Sequence, residues 1–315
     1  MLNSVRENTG GDPMSSRKWL NCRLADVAGR LQEEGYQVSL PVISRLLREE
    51  DYQLRGNAKQ LNAEEEHPDR DTQFKYLREQ RSEHQKRGQP CISVDTKKKE
   101  LIGNFKQAGR CWGQKAEPVL VHDFPQDGLG RAVPYGMYDV SRNKGQVYVG
   151  VSSDTPEFAV EAIVKWCETQ IPNNYQEATE LFIEADSGGS NSARSRVYKR
   201  DLQVKVADRF GLKVTVSHYP RGTSKWNPIE HRLFSEISKS WAGCPLRSYE
   251  LMLDYITETK TKTGLEVEAW LDTKTYQKGI KVSDQEMASL ALERHQVCPQ
   301  WNYTLLPRSK SLSPV

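Results

Sequence analysis

Cys91-Ile92-Ser93-Val94-Asp95 follows Pro90 and reads as a short, buried strand that closes on an acid. The sequence beyond it repeats the pattern. Val133 to Val140 and Gly145 to Val151 are two further strand-like runs, joined by the turn-like Ser141-Arg142-Asn143-Lys144. Asp154 and Pro156 open a helix whose apolar face is Val160, Ile163, Val164 and Cys167. Leu181-Phe182-Ile183-Glu184-Ala185-Asp186 is a fourth strand, again ending on an acid. A helix through Tyr198, Leu202, Val206 and Phe210 follows, then an alternating strand from Lys213 to Ser217, a long loop, and a helix from about Pro228 to Trp241.

The order is therefore β-β-β-α-β-α-β-α. It predicts an α/β, ribonuclease-H-like fold over residues 91–247: a mixed five-stranded sheet with helices on both faces. In that fold the first and fourth strands are neighbours, so Asp95 and Asp186 come side by side.

On the N-terminal side, the first sixteen residues are rich in Gly, Ser and Asn and are expected to be loose. Leu24, Val27, Ala28 and Leu31 then mark one apolar helix face, with Gly35 as its C-terminal cap. Ser39 is the expected N-cap of a second helix, with Pro41 in its first turn and an apolar face of Val42, Ile43, Leu46 and Leu47. Two short helices about a tight turn predict an all-α helix-turn-helix DNA-binding region over 14–56, with Arg45 and Arg48 free for phosphates or bases. Residues 57–90 are dense in mixed charge and read as a charged helical linker. Residues 248–315 form a small C-terminal region. In it Gly264 to Leu271 and Thr275 to Ile280 are expected as a hairpin, and Ser283 to His295 as a helix.

No apolar run approaches the ~18 residues of a membrane span, and no apolar signal stretch opens the chain, so membrane partners are excluded and a cytoplasmic location is expected. Net charge is only +3, so a nucleic-acid partner must be met by local basic faces. Six cysteines without CxxC spacing read as reduced thiols rather than a zinc or disulfide framework. No GxxxxGK[ST] phosphate loop is present, which disfavours nucleotide hydrolysis.

Two-metal phosphoryl transfer requires carboxylates from separate elements to converge on hard cations. Asp95 and Asp186 meet that need at adjacent strand ends, and Glu230 opens the last helix. Each has another reading. The first two suit strand-end turns, and Asn227-Pro228-Ile229-Glu230 is a good capping box. Glu184, Asp123 and Asp139 compete as acids near strand ends.

The motifs around these acids resemble those of the Rhodopirellula-type DDE transposases of bacterial insertion sequences. Ile92 to Glu100 is similar to the first-acid motif, Ala185 to Asn191 to the second, and Gly222 to Phe234, with its Asn-Pro-Ile-Glu-His core, to the third. Ser39 to Arg55, Val121 to Pro125 and Trp301 to Pro307 match the same group. The resemblance implies a ribonuclease-H-like core that uses Mg2+, with Mn2+ able to substitute. It implies cutting and joining of double-stranded DNA at the ends of a mobile element, by a homo-oligomer on DNA. It assigns Asp95, Asp186 and Glu230 as catalytic metal ligands. Lys97, Lys98, Lys225 and Arg232, beside the acids, are expected at phosphates, and Trp226 is expected to stack on an unpaired base. Family members carry a further stretch ahead of the helix-turn-helix, so a shortened copy is expected. The alternatives are a DNA-binding regulator with an idle transposase-like domain and, more distantly, a carboxylate-pair glycosidase.

Overall fold

The computed structural model describes residues 9–11, 18–20, 22–50, 52, 67–112, 115, 118–121, 124–223 and 226–308. Most of the first sixteen residues, residues 57–66 of the expected linker, His122, Asp123 and Lys225 lie outside them. The described residues fall in two compact units, within Met1–Glu64 and Glu65–Val315.

In the first unit β1 (Thr9–Gly11) pairs antiparallel with β2 (Lys18–Leu20), so part of the stretch expected to be loose is a strand. Helices α1 (Leu24–Glu33) and α2 (Leu40–Glu49) follow. Val27, Leu31 and Ile43 form their shared core, with Leu24, Ala28 and Leu47 packed around it. The turn between them runs through Gly35 at φ +88°, a left-handed conformation that favours glycine. Ser39 sits at the N-cap position and Pro41 in the first turn of α2.

The second unit opens with α3 (Arg70–Lys86) and builds one nine-stranded mixed sheet. Its centre is β3 (Cys91–Thr96), flanked by β5 (Gly130–Asp139) antiparallel and by β7 (Glu180–Ala185) parallel. Beyond them lie β6 (Lys144–Gly150), antiparallel to β5, and β8 (Lys213–His218), parallel to β7. These five are the expected strands, in the order β8-β7-β3-β5-β6 that a ribonuclease-H-like sheet requires. The structure adds four more. β4 (Glu100–Ile102) pairs with β5, and β9 (Glu266–Asp272) runs parallel to β6. β11 (Asn302–Leu305) pairs with β8 and β10 (Leu292–Arg294) with β11.

Strand alternation sorts the two faces. Ile92, Val94, Leu181, Ile183, Val214 and Val216 face α4 (Pro156–Asn174) and the helix over 196–210, with Trp166, Tyr198 and Leu202 buried between. α4 has Pro156 in its first turn, as its sequence predicts, but its cap is Thr155 and not Asp154: the Thr155 side chain accepts from Phe158 N at 3.2 Å. On the other face Cys91 and Phe182 meet Leu77 of α3. Val147 and Val149 meet the segment carrying Ile229, Leu233 and Ile237, and α8 (Tyr249–Thr257).

Three expectations change. The expected hairpin is one strand, β9, followed by an irregular segment over 275–280. The helix expected over Ser283–His295 is only α9 (Asp284–Ala288), because Leu292–Arg294 pairs in the sheet instead. The helix over 196–210 is α5 (Arg196–Asp201), a π-helical stretch (Leu202–Ala207) and α6 (Asp208–Phe210). Among the described residues no helix is long and apolar enough to cross a membrane.

Candidate active site

Val94 and Ala185 are Cα partners in the parallel pairing of β3 and β7, which sets the next residue of each strand, Asp95 and Asp186, at the same end of the sheet. Asp95 is only 8% exposed, and Thr96 N donates to its Oδ1 at 2.7 Å. Burial, then the charge of Asp186, push the Asp95 carboxyl up to about 8; the Thr96 amide opposes this, and Glu230 and Asp154 add to it. Burial also leads for Asp186, which rises to about 6 under the further charges of Glu230 and Asp154, with the Gly188 amide and the Asn191 side chain opposing. The pair lines a cleft of about 290 Å3 together with Asp154, Lys98 and Lys99.

Glu230 is brought towards this pair by a helix that crosses the sheet. Asn227 is fully buried, and its side chain is engaged by β3 rather than used in the expected capping box. Ser93 Oγ donates to Asn227 Oδ1, and Asn227 Nδ2 donates to Val94 O at 3.4 Å. Ser93 Oγ in turn accepts from Ile229 N at 3.1 Å. The strand that carries Asp95 thus anchors the start of the helix that carries Glu230. Gly136, the cross-strand partner of Asp95, makes the approach possible: a Cβ there would meet Phe234 at 2.5 Å and Ile229 at 2.9 Å. Glu230 begins a π-helical stretch (Glu230–Phe234) that runs into α7 (Ser235–Ser240). Its carboxyl is raised by burial, with the charges of His231 and Lys97 opposing. Glu230 lines an adjoining cleft of about 640 Å3 that shares Lys97 and Lys98 with the first.

Two of the competing acids, Glu184 and Asp139, are used elsewhere, and Asp123 lies outside the described residues. Glu184 is fully buried, accepts two bonds from Arg81 of α3 at 2.6 and 2.5 Å, and accepts from Tyr219 OH at 2.9 Å. Asp139 accepts from Tyr175 OH at 2.6 Å and from the backbone of Ser141 and Arg142, tying off the β5–β6 turn. Asp154 was read only as a helix start. It reaches the cleft because it accepts from Thr96 Oγ1 at 3.2 Å and faces Lys99 at 3.8 Å. The signal that points to it is its place just before the Thr155 cap, at the same end of the sheet as the strand-end acids.

The expected cations divide. Lys97 is buried, pairs with Glu100 at 3.0 Å, and lies 4.7 Å over the Trp241 ring. Lys98 and Arg232 are exposed. Trp226 is 55% exposed and meets Phe74 edge-on at 6.3 Å. Arg45 and Arg48 are exposed on α2 in the N-terminal unit, Arg45 with Glu49 at 3.6 Å.

Among the described residues no three acidic, His or Cys side chains are gathered tightly enough to enclose one ion. The donor set nonetheless suits a hard divalent cation. Asp95, buried, and Asp186, half-buried, are oxygen donors close enough for the charge of Asp186 to raise Asp95, and a cation relieves that repulsion.

A family model described as the Rhodopirellula transposase DDE domain matches residues 1–307. Among solved structures the chain is similar to "Crystal structure of the Mos1 mariner paired end complex with Mn", at 15% identity and a TM-score of 0.45. It is also similar to "Crystal structure of a pre-cleavage Mos1 transpososome", at 14% identity and a TM-score of 0.43. Each likeness covers 79% of this chain and 74% of the other. No curated protein matches.

Proposed function

The chain belongs to the Rhodopirellula transposase DDE-domain family, and from that premise we propose that it cuts and joins the DNA ends of an insertion sequence at Asp95, Asp186 and Glu230. The observation that carries the proposal is the placement of buried Asp95 and half-buried Asp186 at one sheet end, where burial raises both carboxyls, the charge of Asp186 raises Asp95 further, and that of Glu230 raises both.

These three residues would hold Mg2+, or Mn2+ in its place. When bound, such ions supply Lewis-acid stabilisation of the phosphoryl oxygens and lower the pKa of an attacking hydroxyl. The rest is the work of the chain itself. Lys98 lines both clefts beside the acids and is aimed to neutralise a phosphodiester as it enters. Lys225 and Arg232 flank the third acid in sequence and add positive charge to that motif. Lys97, held by Glu100 and Trp241, keeps a positive charge next to Glu230 and favours its ionised form. Exposed Trp226 offers a stacking platform for an unpaired base. Arg45 and Arg48 on α2 suit phosphate or major-groove contacts of a helix-turn-helix, so double-stranded DNA is the partner, engaged by a homo-oligomer.

The test is nicking of a duplex carrying the element's terminal repeat, with and without Mg2+. Asp95→Asn should lower the nicking rate by at least about 10²–10³-fold, with duplex affinity within about twofold of wild type. An Asp95→Asn protein that nicks as fast as wild type would overturn the assignment.

A further inference from the structure

Ser190 and Asn191 are consecutive residues of the short turn after Asp186, and together they grip a cross-strand pair. Thr96 on β3 and Tyr135 on β5 are Cα partners. Ser190 Oγ lies 3.3 Å from Thr96 Oγ1, and Tyr135 OH donates to Asn191 Oδ1 at 2.7 Å. Asn191 lines the same cleft as Asp186, and its side chain acts to lower the Asp186 carboxyl, as an amide donor beside it does. Ser190, Asn191 and Tyr135 are 4%, 1% and 0% exposed, so none of these bonds is shared with bulk water.

We propose that Asn191, oriented by Tyr135, is a positioning residue that fixes the Asp186 carboxylate beside Asp95. The inference rests on the reading of Asp186 as a metal ligand. A carboxamide has an oxygen that only accepts and a nitrogen that only donates. With Tyr135 OH on the oxygen, the nitrogen is committed to the Asp186 side. Without that hydroxyl the amide gains a flipped state that turns its oxygen on the carboxylate, which repels it. The main chain of Asp186 is held separately, through His218 Nδ1 at 2.9 Å from Asp186 O. The residue is therefore fixed at its backbone by one group and at its carboxylate by another. Thr96, which donates to Asp154 Oδ1, ties the same turn to the strand end that carries Asp95. Two like charges at close range push each other out of a shared site. Donors that hold one of them in place set the oxygen pair before any cation arrives, the part that outer hydrogen bonds play around metal ligands.

The test measures Mn2+ binding to the full chain by electron paramagnetic resonance of the free ion, with thermal melts in parallel. Asn191→Ala should weaken Mn2+ binding by about 10–100-fold. Tyr135→Phe should weaken it in the same direction, and it removes one oxygen without changing the ring's shape, so it remains informative even if Asn191→Ala does not fold. Because Tyr135 acts through Asn191, adding Tyr135→Phe to Asn191→Ala should change the affinity by less than about twofold. Fully additive losses, or a lowered melting temperature with Mn2+ affinity as in wild type, would overturn the inference while Asp95→Asn still fails to bind the ion. Mn2+ held by Asp95→Asn as tightly as by wild type overturns the metal-site reading, and the inference with it.

Discussion

Glu184 and Asp186 are two residues apart and share a sheet face, yet one is tied into the fold and the other left for a ligand. The difference comes from reach. Arg81 of α3 neutralises Glu184 inside the sheet, where an unpaired carboxylate would be costly. Asp186 sits one step beyond the strand end, and among the described residues it forms no ion pair. That has a consequence for pH. The Asp95 carboxyl has a folded value of about 8 against an ordinary 3.8, and Asp186 is raised too. A group raised on folding contributes stability that is fully present below its unfolded value and is lost as pH rises through its folded value. Without metal, Asp95→Asn should therefore melt close to wild type at about pH 4 and above it at pH 8–9, the gap opening across that window. Saturating Mg2+ should narrow or reverse the gap by stabilising only the wild type. Calorimetric melts at both ends of the window check the sign. Asp95 and Asp186 were legible as strand-end acids because each closes an apolar run. Their partners were not. The Arg81–Glu184 bond spans 103 positions in the chain, and nothing local in Lys97-Lys98-Lys99-Glu100 says which lysine is buried.

The helix that carries Glu230 illustrates what strand and helix patterns convey and what they miss. Its start was legible in Asn-Pro-Ile-Glu, but the capping reading assigned Asn227 to its own helix, whereas it is spent on β3. The π-helical stretches were also unread, although one left a trace. Tyr198, Leu202, Val206 and Phe210 recur at every fourth residue, and an α-helix of 3.6 residues per turn would rotate such a row by roughly 40° per step. A wider turn keeps the row closer to one face, and Leu202–Ala207 is π-helical. At the third acid the element depends on two glycines of the sheet. A Cβ at Gly136 meets Ile229 and Phe234, while a Cβ at Gly145 meets Leu233. Gly136→Ala and Gly145→Ala should each cost about 1–3 kcal/mol in stability by overpacking. Gly136 faces Asp95 across the β3–β5 pair, so its variant should lose about tenfold more nicking rate than Gly145→Ala, with duplex affinity retained in both. Equal losses in the two variants would mean that general loosening, and not displacement of Glu230, sets the rate.

At the scale of the molecule, the described part of the C-terminal region, residues 248–308, is bound into the sheet at both edges. β9 extends it beside β6, and β11 covers β8. This was not legible because the signals are short: β10 and β11 have three and four residues, below the length at which alternation separates strand from helix. The pairing partner decides instead, and β8 lies some ninety residues earlier. β11 also reaches the opposite layer. Tyr303 and Leu305 are buried in the main core, while Asn302 exchanges two bonds with Gln73 of α3, both at 2.7 Å. A chain ending at Leu290 loses β10 and β11 and bares β8, the neighbour of the strand that leads to Asp186, as an open edge. It should be recovered only as aggregate, or melt without a cooperative transition, whereas a chain ending at Arg308 should melt like the full protein. Asn302→Ala separates the layers of the argument. It leaves β11 in place but strands the buried Gln73 Oε1, while Gln73 Nε2 keeps His218 O as acceptor, so it should cost about 1–3 kcal/mol and still fold. If the chain ending at Leu290 melts cooperatively and keeps Mn2+ binding, β10 and β11 are an appendage on which the site does not depend.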